Sequence, residues 1–140
     1  MIINYPQILK NNMLNVLKDI LTTIKKNNYK NNCNLFITFK TNFKDVVMPK
    51  WLKSQYPKEM TIVIQHEYWN INIHKKNFEI LLSFNNIKAN LSIPYNSIIS
   101  FADPDANFGL TLITQKNEKK PKNKKNKDNV INFSNFKKLN

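Results

Sequence analysis

The chain contains no arginine, one glycine and one cysteine among its 140 residues, and each scarcity excludes a class of function. All 22 basic residues are lysine. Arginine supplies the planar guanidinium that reads guanine edges and clamps phosphate, so its absence argues against nucleic acid as a partner despite the net charge of +13. A single glycine, Gly109, cannot build a glycine-rich phosphate loop. A single cysteine, Cys33, excludes a disulfide framework and a cysteine-based zinc site.

Long apolar runs are also absent. The first residues, MIINYPQILKNNML, lack the uninterrupted apolar stretch of a signal peptide. No segment approaches the roughly 20 apolar residues that a membrane-spanning helix needs. The sequence therefore predicts a soluble protein of a reducing cytoplasm, without a membrane partner.

Motifs for catalysis and metal binding begin but are not completed. HEYWN, from His66 to Asn70, starts like the H-E-x-x-H zinc motif, but Asn70 replaces the second histidine ligand. DPDANFG starts like a calcium loop, but Phe108 stands where that loop needs glycine and Thr114 where it needs glutamate. No serine lies in a G-x-S-x-G setting. We expect a binding module that is not an enzyme and that carries no metal and no cofactor.

An amphipathic helix is predicted between about Pro6 and Lys26, where apolar residues recur at steps of three and four. Pro6 suits a first helical turn. The apolar face packs either on its own domain or on the same helix of a second chain. The residues that we assign to such a dimer helix are Leu9, Met13, Val16, Leu17, Ile20 and Ile24, and Leu21 lies on the same face.

Short strands with tight turns follow the helix. Strands are predicted at NLFITFK, MTIVIQH, YWNINIH, FEILLSF, IKANLSI and FGLTLI, with a short helix at PKWLKSQY and a helical connection at PYNSIISF. In YWNINIH, we expect Trp69, Ile71 and Ile73 to form one dry face. Asn85-Asn86 fits a type I′ turn. The fold class is thus mainly β with α: a small, open SH3-like or Sm-like barrel after an N-terminal helix.

The C-terminal segment differs from the rest in composition. From Gln115 to Asn140 the chain holds nine lysines against two acidic residues, a net charge of +7 that leaves +6 for the remaining body. Low hydrophobicity with high charge predicts a disordered linker, but apolar residues return in VINFSNF. We divide the chain into a folded domain at 1–114, a linker at 115–128 and a terminal motif at 129–140.

The folded part resembles a known family. YPKEMTIVIQHEYWNINI, followed by FEILLSFNNIKANLSIPYNSIISFADPDANFGLTL, is similar to the SspB proteins, and above all to their alphaproteobacterial branch. The resemblance runs nearly continuously from Leu35 to Leu112 and includes FADP followed by FGL. It implies a homodimeric proteolytic adaptor that binds ssrA-tagged polypeptides and delivers them to the protease ClpXP.

Two sets of site residues follow from this resemblance. The groove for the tag would involve the LSFNN hairpin and the FGLTL strand, although Asn85-Asn86 replaces the usual Gly-Gly of the family. The tail would dock on the N-terminal domain of ClpX through apolar residues followed by lysines. The tag-binding set is Ser83, Phe84, Asn85, Phe108, Gly109, Leu110 and Thr111, and the docking set is Val130, Ile131, Phe133, Phe136, Lys137 and Lys138.

Other classes of function are distinguished by simple observations. An RNA-binding small barrel is the main alternative, because the lysine tract would add affinity that does not depend on sequence and that falls steeply with salt. The lysine tract is separated from any aromatic cluster, which counts against this alternative. An enzyme lacks a catalytic set, and a purely structural dimer would bind neither peptide nor nucleic acid.

Overall fold

The computed structural model describes residues 2–27, 33–65 and 68–112 as a helix followed by two antiparallel sheets. One sheet has the strand order β2-β1-β6-β7 and the other the order β3-β4-β5. The predicted class, mainly β with an N-terminal helix, is confirmed, and the sheets stay open rather than closing into a barrel. The elements are α1 (Tyr5–Lys26), β1 (Leu35–Lys40), α2 (Lys50–Gln55), β2 (Glu59–Ile64), β3 (Tyr68–Ile73), β4 (Asn77–Phe84), β5 (Ile87–Pro94), β6 (Ile98–Asp103) and β7 (Phe108–Thr111), with single 3₁₀ turns at Tyr95–Ser97 and Pro104–Ala106.

Helix α1 begins and ends with recognisable signals. The Asn4 side chain accepts a hydrogen bond from the Gln7 N–H at 3.2 Å, and Pro6 lies in the first turn. Lys25 and Lys26 occupy the last turn, where the negative end of the helix dipole favours cations. Four residues face the sheets and are buried, namely Leu14, Leu17, Leu21 and Ile24.

The core lies between the helix and the two sheets. Phe39, Phe78 and Phe101 are its largest fully buried side chains. Strand β2 shows why the sequence folds this way: its buried residues alternate with exposed ones, as expected for a strand with one face on the core. The buried face of helix α1 packs it on the sheets, and Lys18 adds a surface contact: its Nζ lies 4.7 Å from the Tyr95 ring centroid and 3.4 Å from the Lys75 carbonyl oxygen.

The prediction that Trp69 shares the buried face of β3 with Ile71 is wrong. The pairing of β3 with β4 shifts register between Trp69 and Asn72, and Asn70 adopts a positive φ of 50°. This bulge places Tyr68 and Ile71 in the core, whereas Trp69 is only half-buried and lies under Lys88, whose Nζ is 4.5 Å from its ring centroid. A bulge inserts one residue and therefore changes which side chains share a face.

The PYNSIISF segment is only partly the predicted helical connection. Three residues form a 3₁₀ turn, after which β6 begins at Ile98 and pairs with both β1 and β7. Strand β6 is thus internal to its sheet, and its position is fixed by strands distant in sequence. The Asn85-Asn86 turn is confirmed, because both residues have positive φ, 52° and 69°, as a type I′ turn requires.

Candidate peptide-binding groove

An open groove of about 430 Å³ lies where the edge strand β2 meets the end of β4. We call it the β2 groove. Its walls come from both sheets and from the segment after α2. The lining residues are Tyr56, Met60, Thr61, Ile62, Val63, Gln65, Leu82, Ser83 and Phe84.

The floor of the β2 groove belongs to the hydrophobic core, and its rim is accessible. Met60, Ile62 and Leu82 are at most 4% exposed. Val63 and Tyr56 are 37% and 41% exposed, so part of each apolar side chain is accessible beside the open strand edge. The groove therefore offers apolar surface to a ligand without needing to open.

Buried contacts fix the wall formed by α2 and the residues after it. The fully buried Thr41 donates its hydroxyl to the Tyr56 carbonyl at 2.6 Å, and its backbone N–H donates to the Lys58 carbonyl at 2.9 Å. On α2, Trp51 meets Phe84 edge to face, with ring centroids 6.5 Å apart. These contacts hold Tyr56 and Phe84 in place before any ligand arrives.

The β2 groove is electrically neutral. None of its lining side chains is acidic or basic. The side chains of Gln65 and Ser83 have no hydrogen-bond partner within the part of the chain that the structure describes, whereas Thr61 shares a hydrogen bond with Thr38 at 2.7 Å. Gln65 and Ser83 can therefore bind the polar groups of a ligand at the groove, while its apolar surface takes uncharged side chains.

The sequence-predicted tag residues divide between two places. Ser83 and Phe84 line the β2 groove, and Asn85 follows in the adjoining turn. Phe108 to Thr111 form β7, which is the opposite edge of the four-stranded sheet, separated from β2 by β1 and β6. Gly109 has no positive φ, and a Cβ at this position would meet the Ala102 Cβ at 3.4 Å, an ordinary contact. Its lack of a side chain is thus not required by the fold.

A second groove, of about 420 Å³, lies between α1 and the β6–β7 hairpin. We call it the α1 groove. Burial raises the pKa of the Cys33 thiol in its wall, and the nearby Asp103 carboxylate raises it further, although backbone hydrogen bonds oppose both. Its lining residues are Val16, Ile20, Thr23, Ile24, Cys33, Leu35, Asp103, Ala106 and Phe108.

The residues assigned to the dimer helix do not share one environment. Leu17 and Ile24 are buried on their own domain, so they cannot form a contact with a second chain without unfolding the first. Leu9 and Val16 are 46% and 37% exposed, and Met13 and Ile20 are half-buried. An accessible apolar stripe therefore runs beside the buried one.

Several predicted features fall outside the described residues. These are His66 and Glu67 of the HEYWN motif and the whole segment after Leu112, with Val130, Ile131, Phe133, Phe136, Lys137 and Lys138. Within 2–27, 33–65 and 68–112, no group of three histidine, cysteine or acidic side chains is arranged to hold a metal. In the same ranges, no helix combines the length and apolarity needed to cross a membrane.

Sequence analysis did not identify Tyr56, Val63 and Trp51 as site residues. On a strand, Val63 resembles any residue of an alternating pattern, and only the meeting of β2 with β4 gives it a role. The available signals were the two aromatic residues of PKWLKSQY and an apolar residue, Val63, at an exposed position of the alternating strand EMTIVI.

Comparison with known proteins identifies the family of this chain. A family model described as SspB, stringent starvation protein B, matches residues 7–136. No curated protein gives a significant match to the chain. The match spans most of the chain, and the protein belongs to the SspB family, a family of protease adaptors rather than enzymes.

Proposed function

We propose that this protein is an adaptor that binds ssrA-tagged polypeptides in the β2 groove and delivers them to ClpXP in the bacterial cytoplasm. The observation that carries the proposal is the β2 groove itself: an uncharged cleft, lined by both apolar and polar side chains, beside an open strand edge. An extended peptide can pair its backbone with such an edge while alternate side chains enter the cleft.

The groove suits a peptide of mostly uncharged residues. Val63 and Phe84 offer apolar contact, and Ser83 and Gln65 offer hydrogen bonds that are not used within the described chain. Because Asn85 and Asn86 carry side chains where the family usually has glycines, they add polar bulk beside the groove. This difference would tune the tag sequence that the protein prefers.

Delivery would depend on the tail. Val130 and Ile131 would enter an apolar site on the N-terminal domain of ClpX, with Phe133, Phe136 and the two following lysines adding contacts. The intervening lysine- and asparagine-rich residues would act as a tether that raises the local concentration of cargo near the unfoldase.

The protein would act as a homodimer through the first half of α1. Ile2, Tyr5, Ile8 and Leu9 are between 46% and 92% exposed, more apolar surface than one end of a solvated helix normally carries. Two chains joined there would present two tags and two tails to one multivalent partner, and binding would gain from avidity.

A two-arm experiment separates tag binding from delivery. The first arm titrates the full chain into a fluorescent ssrA-type peptide and a scrambled peptide, each at low and moderate salt. The second follows degradation of a tagged reporter by ClpXP with the wild-type chain and with the Val130→Ser/Ile131→Ser variant. Selective, salt-insensitive binding with delivery lost only in the variant supports the proposal.

Other outcomes contradict it. Equal affinity for the scrambled peptide would remove the tag as ligand. Affinity for both peptides that collapses with salt would indicate an electrostatic surface and the RNA-binding alternative. Delivery that survives the tail substitutions would place ClpX docking elsewhere in the chain.

A further inference from the structure

The α1 groove has apolar walls and an acidic end, and the proposed tag site does not use it. Val16, Ile20 and Phe108 contribute apolar side chains. Asp103 lies among them, and Asp105 follows in the adjoining 3₁₀ turn. These are two of only nine acidic residues in a chain with a net charge of +13, so a negative rim is unusual on this surface.

The two carboxylates have spare capacity for a cation. One oxygen of Asp103 accepts the Asn34 backbone N–H at 3.4 Å, and the other is buried with no hydrogen-bond partner in the described ranges. Within the described ranges, the only hydrogen bond that Asp105 accepts comes from the Asn34 side-chain N–H, at 3.3 Å. Neither forms an ion pair with any lysine among the residues that the structure describes. Two carboxylates that no described lysine neutralises make this end of the groove negative, so a cation from another part of the chain would be attracted to it.

We propose that the α1 groove is occupied by the C-terminal segment of the same chain, with apolar residues of VINFSNF against its walls and Lys137 and Lys138 beside Asp103 and Asp105. The segment has the matching chemistry: four large apolar residues followed directly by two lysines. No other part of the chain outside the described ranges combines these features.

The length of the connecting chain suits this arrangement. Strand β7 begins at Phe108 in the groove wall, and the Leu112 N–H donates a hydrogen bond to the Ile99 carbonyl. At roughly 3.3 Å per strand residue, Leu112, where the connecting chain starts, lies about 13 Å from Phe108. The 18 residues from Leu112 to Val130, if flexible as their composition predicts, span about 21–25 Å on average. A tether of this length gives an effective concentration on the order of 1 mM.

Docking within one chain leaves the proposed dimer surface free. The α1 groove uses Val16, Ile20 and Ile24 in the second half of the helix, whereas Ile8 and Leu9 lie in the first half. If the tail also binds ClpX, which rests on the proposed function, the two sites compete for one segment. Cargo delivery would then increase when the groove releases the tail.

Cys33, the only cysteine of the chain, reports directly on occupancy of the α1 groove because it lines the wall and is only partly buried. We would measure the rate at which a thiol reagent modifies Cys33 in the full chain. The test variant is Ile131→Ser/Phe133→Ser, and the matched control is Asn132→Ser/Asn135→Ser, which changes neighbouring residues without removing apolar contacts. None of these substitutions changes a residue that lines the groove.

For a segment that binds with an affinity of about 0.1–1 mM at an effective concentration of about 1 mM, modification should be about two- to tenfold slower in the wild type than in the test variant. The control should match the wild type. Lys137→Glu/Lys138→Glu should also lose protection, because it reverses the charges facing Asp103 and Asp105. Backbone amide NMR shifts of Ile20 and Phe108, but not of Val63, should change in the test variant.

Two results would overturn the proposal. Equal rates in the wild type and the Ile131→Ser/Phe133→Ser variant, with unchanged NMR shifts, would leave the tail outside the groove. Protection that grows with protein concentration and is insensitive to the tail substitutions would assign the groove to a second copy of the chain. Protection within one chain must be independent of concentration.

Discussion

Replacing Val63 by threonine is the most direct test of the β2 groove. Threonine keeps the β-branched shape that suits a strand but replaces a methyl group with a hydroxyl. Val63 is 37% exposed in the free domain, so this fraction of its surface is available to a ligand. Complete burial of a valine contributes about 1.5–3 kcal/mol, and the exposed share therefore corresponds to about 0.6–1.1 kcal/mol.

This free energy predicts a tag peptide that binds about three- to sixfold more weakly to Val63→Thr than to the wild type. A threonine hydroxyl left without a partner under the peptide would add to the loss. The assay is fluorescence anisotropy of a labelled tag peptide, with the unfolding midpoint measured in parallel. Stability should change by less than about 0.5 kcal/mol because the side chain lies on the surface.

Val47→Thr is the matched control. Val47 is 62% exposed and bridges to β5 through backbone hydrogen bonds with Ser92 of 3.0 and 2.9 Å, so threonine leaves its structure intact. It does not line the β2 groove. An affinity that is unchanged in Val63→Thr, or reduced equally in both variants, would refute the assignment of the peptide to this groove.

Three further changes test the turn, the core and the opposite sheet edge. Asn86→Ala should destabilise the domain by about 1 kcal/mol in urea unfolding, because the φ of 69° at this position disfavours alanine, whereas Asn86→Gly should leave stability unchanged. Equal stability of the alanine and glycine variants would contradict the turn geometry. Burial raises the pKa of Tyr95 from 10 to about 12. The free energy of unfolding therefore contains a contribution from the protonated hydroxyl, which should be complete below pH 10 and be lost as the pH rises from 10 to 12. Tyr95→Phe lacks this titration and the hydroxyl's hydrogen bond to the His74 carbonyl, so it should be less stable than the wild type at pH 8, by an amount that shrinks by pH 11.5. A stability difference that stays constant between these pH values would show that the Tyr95 hydroxyl is not coupled to folding. Gly109→Ala should preserve stability within about 0.5 kcal/mol. It should also preserve tag affinity, because β1 and β6 separate β7 from the β2 groove. Weaker tag binding at constant stability would show that β7 belongs to the tag site.

Local chemistry explains which parts of the fold could be predicted from the sequence. The steps of three and four in α1 and the alternation in β2 reflect burial of one face, and two asparagines in succession tolerate the positive φ of a type I′ turn. These signals lie within a few residues of the structure they determine.

The features that could not be predicted depend on distant parts of the chain. Strand β6 lacks a strict alternation, and its partner β1 lies some 60 residues away in sequence, so pairing rather than propensity makes it a strand. The bulge at Asn70 reverses the face of Trp69 without altering the apolar pattern. The β2 groove combines two strands from different sheets, and the residues assigned from the resemblance include only Ser83 and Phe84 of its lining.

Because the floor of the β2 groove consists of Met60, Ile62 and Leu82, a peptide bound there would rest directly on the hydrophobic core. A bound peptide and the folded state then stabilise each other: at a free peptide concentration one hundred times the Kd, the domain gains about 2.7 kcal/mol against unfolding. Cargo loading would thus act as a stabiliser of the carrier. An adaptor that works beside an unfoldase would be most resistant to its own unfolding while it holds the substrate that is to be unfolded.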